Sequence, residues 1–423
     1  MILCRDSQLL LDDRASHPSQ LPQTMEKTLI LTDLSKCHDI GDLRKAAKRR
    51  LPKTIFDFLD GGADDEVSMR QNRHSFDQYT LVPDALTDVS NIDMSTNVMG
   101  QEISFPFILS PTGMSRIFHH DGEKAVAQAA AKAGLIYSLS SNSSVSIEEI
   151  GNLTTGPKWF QIYVWKDRSL VKNFISRARE ANFQALCLTV DVQVYGNRQR
   201  DLYNGMAIPI QLTPKLVLDL ARHPNWLFHM ISKGQPNLAN LPSELVSVRK
   251  RVGSGAKYIN SQFDRSVTWK DAEWMIKEWG GPLAIKGILN AQDAVQAVKI
   301  GATGIIVSNH GGRQLDHATS PMSVLPEIVD AVAGRADVIV DGGIRRGTDI
   351  VKALALGAKS CMGGRPYLYG LSAGGLTGVT HAMNIVSDEL NRDMSLLGVD
   401  KIDKINAKHI RHHYNQHPYP QNF

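Results

Sequence analysis

The sequence predicts an α/β protein folded as a (β/α)8, or TIM, barrel. Three observations carry that expectation. Eight short apolar runs alternate with helical patterns between Phe105 and Leu397. The runs are near-continuously apolar rather than alternating, as in parallel strands covered on both faces. No G-x-G-x-x-G follows the first run, which argues against the doubly wound open sheet that the same alternation otherwise allows. Eight such units close as a barrel.

Residues 1–32 show no sustained period and read as a disordered extension, with Met25 an alternative start. Residues 33–104 read as an N-terminal helical segment and linker. From Asp33 to Arg50, Leu43, Ala46 and Ala47 share one face; Leu51-Pro52-Lys53 then restarts a helix that Gly61-Gly62 ends. The barrel spans 105–400. Its predicted strands are Phe105–Ser110, Ile136–Ser140, Trp159–Val164 and Ala185–Val190, then Leu283–Gly287, Gly304–Asn309, Val338–Asp341 and a weak Ser360–Gly363. Helices are expected at Gly122–Gly134, after the capping signature Ser146-Ile-Glu-Glu149, and at Leu170–Ala181. Further helices are expected at Trp269–Trp279, Ala291–Ile300, Val324–Ala333, Thr348–Leu356 and from about Gly375 to Leu397. A long excursion, 195–265, follows the fourth strand, and 401–423 reads as a C-terminal tail.

Composition narrows the function. A net charge of +4 is too weak to argue for a nucleic-acid partner, and no run of eighteen apolar residues exists to span a membrane. The four cysteines, Cys4, Cys37, Cys187 and Cys361, include no C-x-x-C pair; Cys187 and Cys361 sit in apolar strands as buried thiols, a reducing-compartment pattern. No convincing signal peptide or lipidation motif opens the chain, so a cytoplasmic location is expected.

In such a barrel, chemistry sits at the C-terminal strand ends. Those ends read Pro111-Thr112-Gly113, Ser140, Gln161 and Tyr163, Thr189 and Asp191, Lys286, Ser308 and His310, Asp341, and Gly363-Gly364-Arg365. The sixth is the most informative. Ser308-Asn-His-Gly-Gly-Arg-Gln-Leu-Asp316 delivers a titratable base, His310, and a fixed cation, Arg313, to one place, which suits proton abstraction from a carboxylate-bearing substrate. Asp341-Gly-Gly343-Ile-Arg345-Arg346 and Gly363-Gly364-Arg365 are glycine–arginine turns of the kind that bind phosphate through free backbone N–H groups; tight turning alone is the plainer reading of either by itself. Lys286 ends an otherwise apolar strand and costs too much to bury unpaired, so it is expected to face an anionic ring or phosphate in the barrel mouth.

Together, SNHGGRQLD, the DGGIRRG run, FQIYV, LTVD followed by Gly196-Asn197-Arg198, and IKGI resemble the flavin mononucleotide (FMN)-dependent (S)-2-hydroxy-acid oxidase and dehydrogenase family over roughly residues 40–400. The closest look is to the bacterial membrane-associated L-lactate and mandelate dehydrogenases. The resemblance implies oxidation of a 2-hydroxy acid to a 2-oxo acid, electrons passing to a quinone or similar acceptor, and a homo-tetramer. It implies His310 as base, Asp191 as its partner, and Arg198, Arg313 and Tyr163 on the substrate. It places Ser140, Gln161, Thr189, Lys286 and Ser308 on the flavin ring, Gly113 with Pro111 and Thr112 against it, and Arg345, Gly364 and Arg365, with Asp341 and Gly343 beside them, at the phosphate. Two positions depart from the family pattern. Phe58 stands where a tyrosine hydroxyl would touch the substrate carboxylate, and Asn142 where an apolar side chain is usual. They leave a larger or different substrate, such as that of a tailoring enzyme, as the alternative, beside an oxidase that uses dioxygen. Residues 212–235 carry Leu216, Val217, Leu220, Trp226, Leu227, Phe228 and Met230 beside Lys215, Arg222 and Lys233; they read as a peripheral membrane contact, with a lid or subunit contact as the alternative.

Overall fold

Eight parallel strands close on themselves, nearly all their residues buried because helices cover the outer face. They are β1 (Phe107–Leu109), β2 (Tyr137–Ser140), β3 (Lys158–Ile162) and β4 (Ala185–Thr189), then β5 (Leu283–Ile288), β6 (Gly304–Ser308), β7 (Asp337–Asp341) and β8 (Ser360–Gly363). Their order around the barrel follows the chain, and β8 pairs in parallel with β1, Cys361 opposite Phe107, to seal it. The computed structural model describes residues 33–206, 214–234, 236–241 and 261–413; the expectation for 1–32 lies outside them.

The helices form where the apolar spacing puts them, Trp269–Trp279 to the residue. Ser146 and Glu149 make the reciprocal capping box their spacing implied. Outside the excursion, two α-helical stretches lie where none is predicted. Val67–Asp77 has little apolar face, and its start is capped from afar: the Asp316 carboxylate accepts the N–H groups of Ser68 at 2.8 Å and Val67 at 3.2 Å. The final helix begins at Arg365 rather than near Gly375, and it is broken by non-helical backbone at Gly374 and Gly375 (φ +59°). Glycines that hide the first half from a propensity reading are needed there. A Cβ at Gly378 would stand 2.0 Å from the Gly370 carbonyl oxygen, so the two halves cross backbone to backbone.

Segments outside the barrel position both of its ends. The strands Thr96–Val98 and Gln101–Ile103 form a hairpin across the end where the barrel strands begin. There Trp159 Nε1 donates to Gln101 Oε1 at 3.1 Å, and the Met99 N–H donates to Asp337 at 2.6 Å. Residues 401–413 fold back, Ile410–His412 pairing antiparallel with Tyr79–Leu81. At the opposite end, helix Val67–Asp77 packs on the loops after β6 and β7: Asn72 and Asn309 exchange two hydrogen bonds of 2.7 Å.

The described part of the excursion holds helices Gln199–Tyr203, Pro214–Ala221 and Pro224–Ser232. Its apolar residues divide. Leu220 and Trp226 are buried, Trp226 Nε1 donating to the Ile117 carbonyl at 2.8 Å, whereas Val217, Leu218, Phe228 and Ile231 are exposed. The outward apolar surface is thus not the set the sequence suggested, because half of that stripe meets the barrel. Residues 212, 213 and 235 and the side chains of Lys215 and Leu216 lie outside the described residues. Among the described residues, no helix is long and apolar enough to cross a membrane.

Candidate active site

The loops after the strands converge on a cavity lined by the residues after β1 (Pro111, Thr112, Gly113), by Ser140, Tyr163, Arg198, Lys286, His310, Arg313 and Asp341, and by the two glycine–arginine turns. After β6 the chain turns through three residues of positive φ, His310 (+59°), Gly311 (+66°) and Gly312 (+74°). Gly312 has a packing reason: a Cβ there would sit 2.5 Å from the Met69 nitrogen. The turn is anchored by the Ser308 hydroxyl, which accepts the His310 N–H at 3.0 Å, and it aims the imidazole at Asp191. His310 Nδ1 lies 2.9 Å from Asp191 Oδ1. With Asp191 ionised, Nδ1 carries the proton, leaving Nε2 as the basic atom. Gly287 makes this possible, since a Cβ at its +110° φ would stand 2.8 Å from Asp191 Cβ.

The cations beside this pair lack protein counter-ions. Among the described residues no carboxylate forms an ion pair with Arg198, Arg313, Arg345 or Arg365. Burial, then Arg198 and Arg365, push the Arg313 guanidinium down to about 9. Its fork is held by the Gly61 carbonyl at 2.8 Å, and Phe58 lies under it, ring centroid 5.5 Å from Cζ. Arg198 stacks on Tyr195 at 4.3 Å. A bound anion would relieve both repulsion and desolvation here. Burial also lowers Arg345, to about 10.

Lys286 lines the cavity and also has partners within the protein: Nζ lies 2.6 Å from Asp341 and donates to Ser308 Oγ at 2.9 Å. Asp341 is used on both oxygens, by Ser110 at 2.7 Å and Ser308 at 2.8 Å as well. Burial works against the Lys286 charge, but Asp341 and Asp191 together outweigh it and the pKa rises. Asp341, which also lines the cavity, thereby holds Lys286 charged at its wall. Gly343 likewise serves packing first, because a Cβ would stand 2.0 Å from the Asn72 carbonyl oxygen.

Other predicted residues present unused hydrogen-bonding atoms. Gln161 accepts from Ser140 Oγ at 2.8 Å, yet its Nε2 is buried with no partner among the described residues; so are Thr189 Oγ1 and Arg365 Nε. Buried donors without acceptors are expensive, and a polar ring system with carbonyls and ring nitrogens would satisfy them. Thr189 lines an adjoining cavity with Tyr163 and Asp191, and Gln161 lies behind Ser140; neither borders the main cavity itself. Burial, then Asp191, raises the Tyr163 hydroxyl, keeping it a neutral donor. Sequence reading missed Met114, Phe118, Val192, Tyr195 and Phe263 on the walls. They sit in loops without periodicity, and Phe263 is brought back only by the end of the excursion, through a bridge to Trp165.

Comparison with known proteins fixes the family. The model of the FMN-dependent dehydrogenases matches residues 47–412. The chain belongs to that family. It is 42% identical over 372 residues to a Mycobacterium tuberculosis protein provisionally named an L-lactate dehydrogenase, covering 88% of each chain. It is 39% identical to (S)-mandelate dehydrogenase of Pseudomonas putida, covering 88% of this chain and 93% of that one. The crystal structure of the monotopic membrane protein (S)-mandelate dehydrogenase superposes with a TM-score of 0.85 at 38% identity, over 89% of this chain and 99% of that one. FMN is the cofactor of the family, and the residues here fit it. The unpartnered donors Gln161 Nε2 and Thr189 Oγ1 suit its ring, and the two arginines without counter-ions, Arg345 and Arg365, suit its phosphate beside Gly364.

Proposed function

We propose that the chain oxidises an (S)-2-hydroxy acid to the 2-oxo acid. The observation that carries this is the His310–Asp191 pair at 2.9 Å, set beside two arginines free of ion pairs. Arg313 and Arg198 bind the substrate carboxylate, and Tyr163 donates a hydrogen bond to the substrate. His310 Nε2 takes one proton from the reacting carbon–hydroxyl unit, and Asp191 stabilises the imidazolium that results. FMN, when bound, would accept the two electrons together with the second hydrogen of that unit. Phe58, Met114, Phe118, Val192 and Phe263 make the remaining wall apolar, which favours a side chain of lactate or mandelate character over a charged one. Anaerobic mixing with a panel of 2-hydroxy acids, followed by the visible flavin absorbance, tests the reading. Bleaching by an (S)-2-hydroxy acid supports it; no bleaching by any small acid shifts the case to a larger substrate.

A quinone is proposed as the electron acceptor and a peripheral membrane contact as its means of access. The exposed Val217, Leu218, Phe228 and Ile231 on the excursion helices motivate both. Co-sedimentation with anionic vesicles, intact chain against a version lacking residues 212–235, is the test; equal pelleting removes the proposal. The homo-tetramer is proposed on the resemblance alone, and light scattering in solution decides it.

A further inference from the structure

The fully buried carboxylate of Glu123, behind the cavity wall, has no part in the reading above. Glu123 stands in the first turn of helix Gly122–Lys132. Its Oε1 accepts two backbone N–H groups, from Ser115 at 2.9 Å and from Ser144 at 2.9 Å. Its Oε2 accepts the Ser144 hydroxyl at 2.6 Å. Among the described residues no cation pairs with it. A buried carboxylate without a counter-ion is costly, and a neutral side chain would fill the same space more cheaply.

What the carboxylate joins gives it a reason. Ser115 belongs to the loop after β1 and Ser144 to the loop after β2. Those loops carry Thr112, Gly113 and Met114 on one side and Ser140 and Asn142 on the other, all lining the cavity. They touch directly: the Met114 N–H donates to the Asn142 carbonyl at 3.1 Å, and a Cβ at Gly113 would press on Asn142 Cβ at 3.1 Å. Glu123 thus holds three atoms from the two loops, and Arg116 is tied in through Ser144, whose Oγ accepts its N–H at 3.1 Å. We propose that Glu123 is a positioning residue, fixing the two loops in register so that Gly113 and Asn142 present one continuous wall to the flavin and substrate. This rests on the cavity being the active site.

The test compares Glu123→Ala, Glu123→Gln and Ser144→Ala as purified, FMN-saturated proteins. Glutamine can keep the same bonds, its oxygen accepting the two N–H groups and its amide donating to Ser144 Oγ. Displacing a positioned wall by an ångström can cost up to ~10²-fold. The rate of anaerobic flavin bleaching per bound FMN is therefore expected to fall tenfold or more in Glu123→Ala, less in Ser144→Ala, and to stay near wild type in Glu123→Gln. The second readout is independent of turnover: the visible circular dichroism of bound FMN shifts in Glu123→Ala and is restored in Glu123→Gln. A purely structural residue would lower the melting temperature and leave both per-flavin readouts unchanged, which overturns the proposal. Equal impairment in the glutamine and alanine variants overturns it too. If Glu123→Ala does not fold, Ser144→Ala decides: wild-type bleaching and dichroism there refute the clamp. If no 2-hydroxy acid bleaches even the wild type, it is the proposed function that fails, and the dichroism comparison still judges Glu123.

Discussion

Two lysines are buried in this barrel, one at each end, and they are handled in opposite ways. Lys158 opens β3 at the end plugged by the hairpin. Its Nζ donates to the carbonyls of Thr154 at 2.9 Å and Gly156 at 3.3 Å, with no carboxylate near, and burial lowers its pKa. Lys286 closes on the cavity near the end of β5, and Asp341 at 2.6 Å keeps it charged. The contrast extends to their neighbours. At the plugged end Trp159, Met99 and Asp337 find partners within the protein, the exceptions being the Tyr137 and Ser138 hydroxyls on β2. At the open end, among the described residues, Gln161 Nε2, Thr189 Oγ1 and Arg365 Nε are left over, and four arginines lack counter-ions. Most of the named polar groups at one end are satisfied within the protein. The other end leaves charge and donors unpaired at the cavity, where chemistry sits in this architecture.

His310→Ala probes the open end with the largest expected effect. Removing a general base costs ~10²–10⁴-fold in kcat. His310 has its partner in Asp191 and otherwise faces the cavity, so FMN content and melting temperature should change little. Wild-type kcat in this variant would remove His310 from the mechanism.

Exchanging the two lysines for methionine attacks the comparison itself. Lys286→Met leaves Asp341 buried and uncompensated, a loss of about 3–5 kcal/mol in stability. Lys158→Met gives up hydrogen bonds to two carbonyls but also a desolvated charge, and should cost about 1 kcal/mol or less. Denaturant unfolding of both variants is the check. Comparable losses would mean that the two ends are built alike.

Acid probes orphans of another kind. The rings of His119, His120 and His229 stack, centroids 4.2 and 4.1 Å apart, and join the loop after β1 to the excursion helix Pro224–Ser232. Among the described residues, the Nδ1 atoms of His120 and His229 are buried without partners. Burial, then His120, Arg50 and His229, lower His119 to about 3, and burial lowers the other two. Arg50, Arg116 and Lys233 oppose protonation of the stack, and Asp121 favours it. A histidine depressed from ~6.5 binds its proton more readily when unfolded. The stack's contribution is therefore complete above pH ~6.5 and declines toward pH 3, by about 1.4 kcal/mol per pH unit for one proton. Fluorescence of Trp226, on the same helix, should report the loosening, and His229→Gln should flatten it. A response that survives this substitution unchanged would remove His229 from it, leaving His119, His120 or other groups.

How much of this was legible beforehand follows from the same division. The barrel strands are apolar runs bounded by glycine and polar residues, a local signal, and they lie where the sequence put them. So do His310, Asp191, Arg313 and the cavity loops, because strand ends are fixed once strands are. The pairing of Lys286 with Asp341 was not legible, because Asp341 is two strands away and the register between them is not written locally. Asp316, in the most motif-rich stretch of the chain, turned out to cap helix Val67–Asp77, a role visible only once that polar helix is in place. The split of Leu220 and Trp226 from Val217 and Phe228 was hidden for a like reason, since an apolar stripe does not name its partner.

The smallest expected effect discriminates best between the two ends. Among the described residues, Thr189 Oγ1 is buried and unpartnered at the end of the buried strand β4. Valine replaces the hydroxyl by a methyl of nearly the same shape. If the hydroxyl is an unsatisfied group in the protein alone, the apo form should lose nothing and can gain slightly on Thr189→Val, because an unmade hydrogen bond is no longer desolvated. If the same hydroxyl bonds FMN, the holo form should lose about 0.5–1.5 kcal/mol of binding, a roughly two- to twelvefold weaker Kd. Opposite signs in the two forms are the signature of a donor kept for a ligand. Apo stability from urea unfolding and FMN affinity from fluorescence titration give both halves on one variant. A loss of apo stability with unchanged FMN affinity would reverse the assignment, placing Thr189 with the satisfied polar groups of the plugged end.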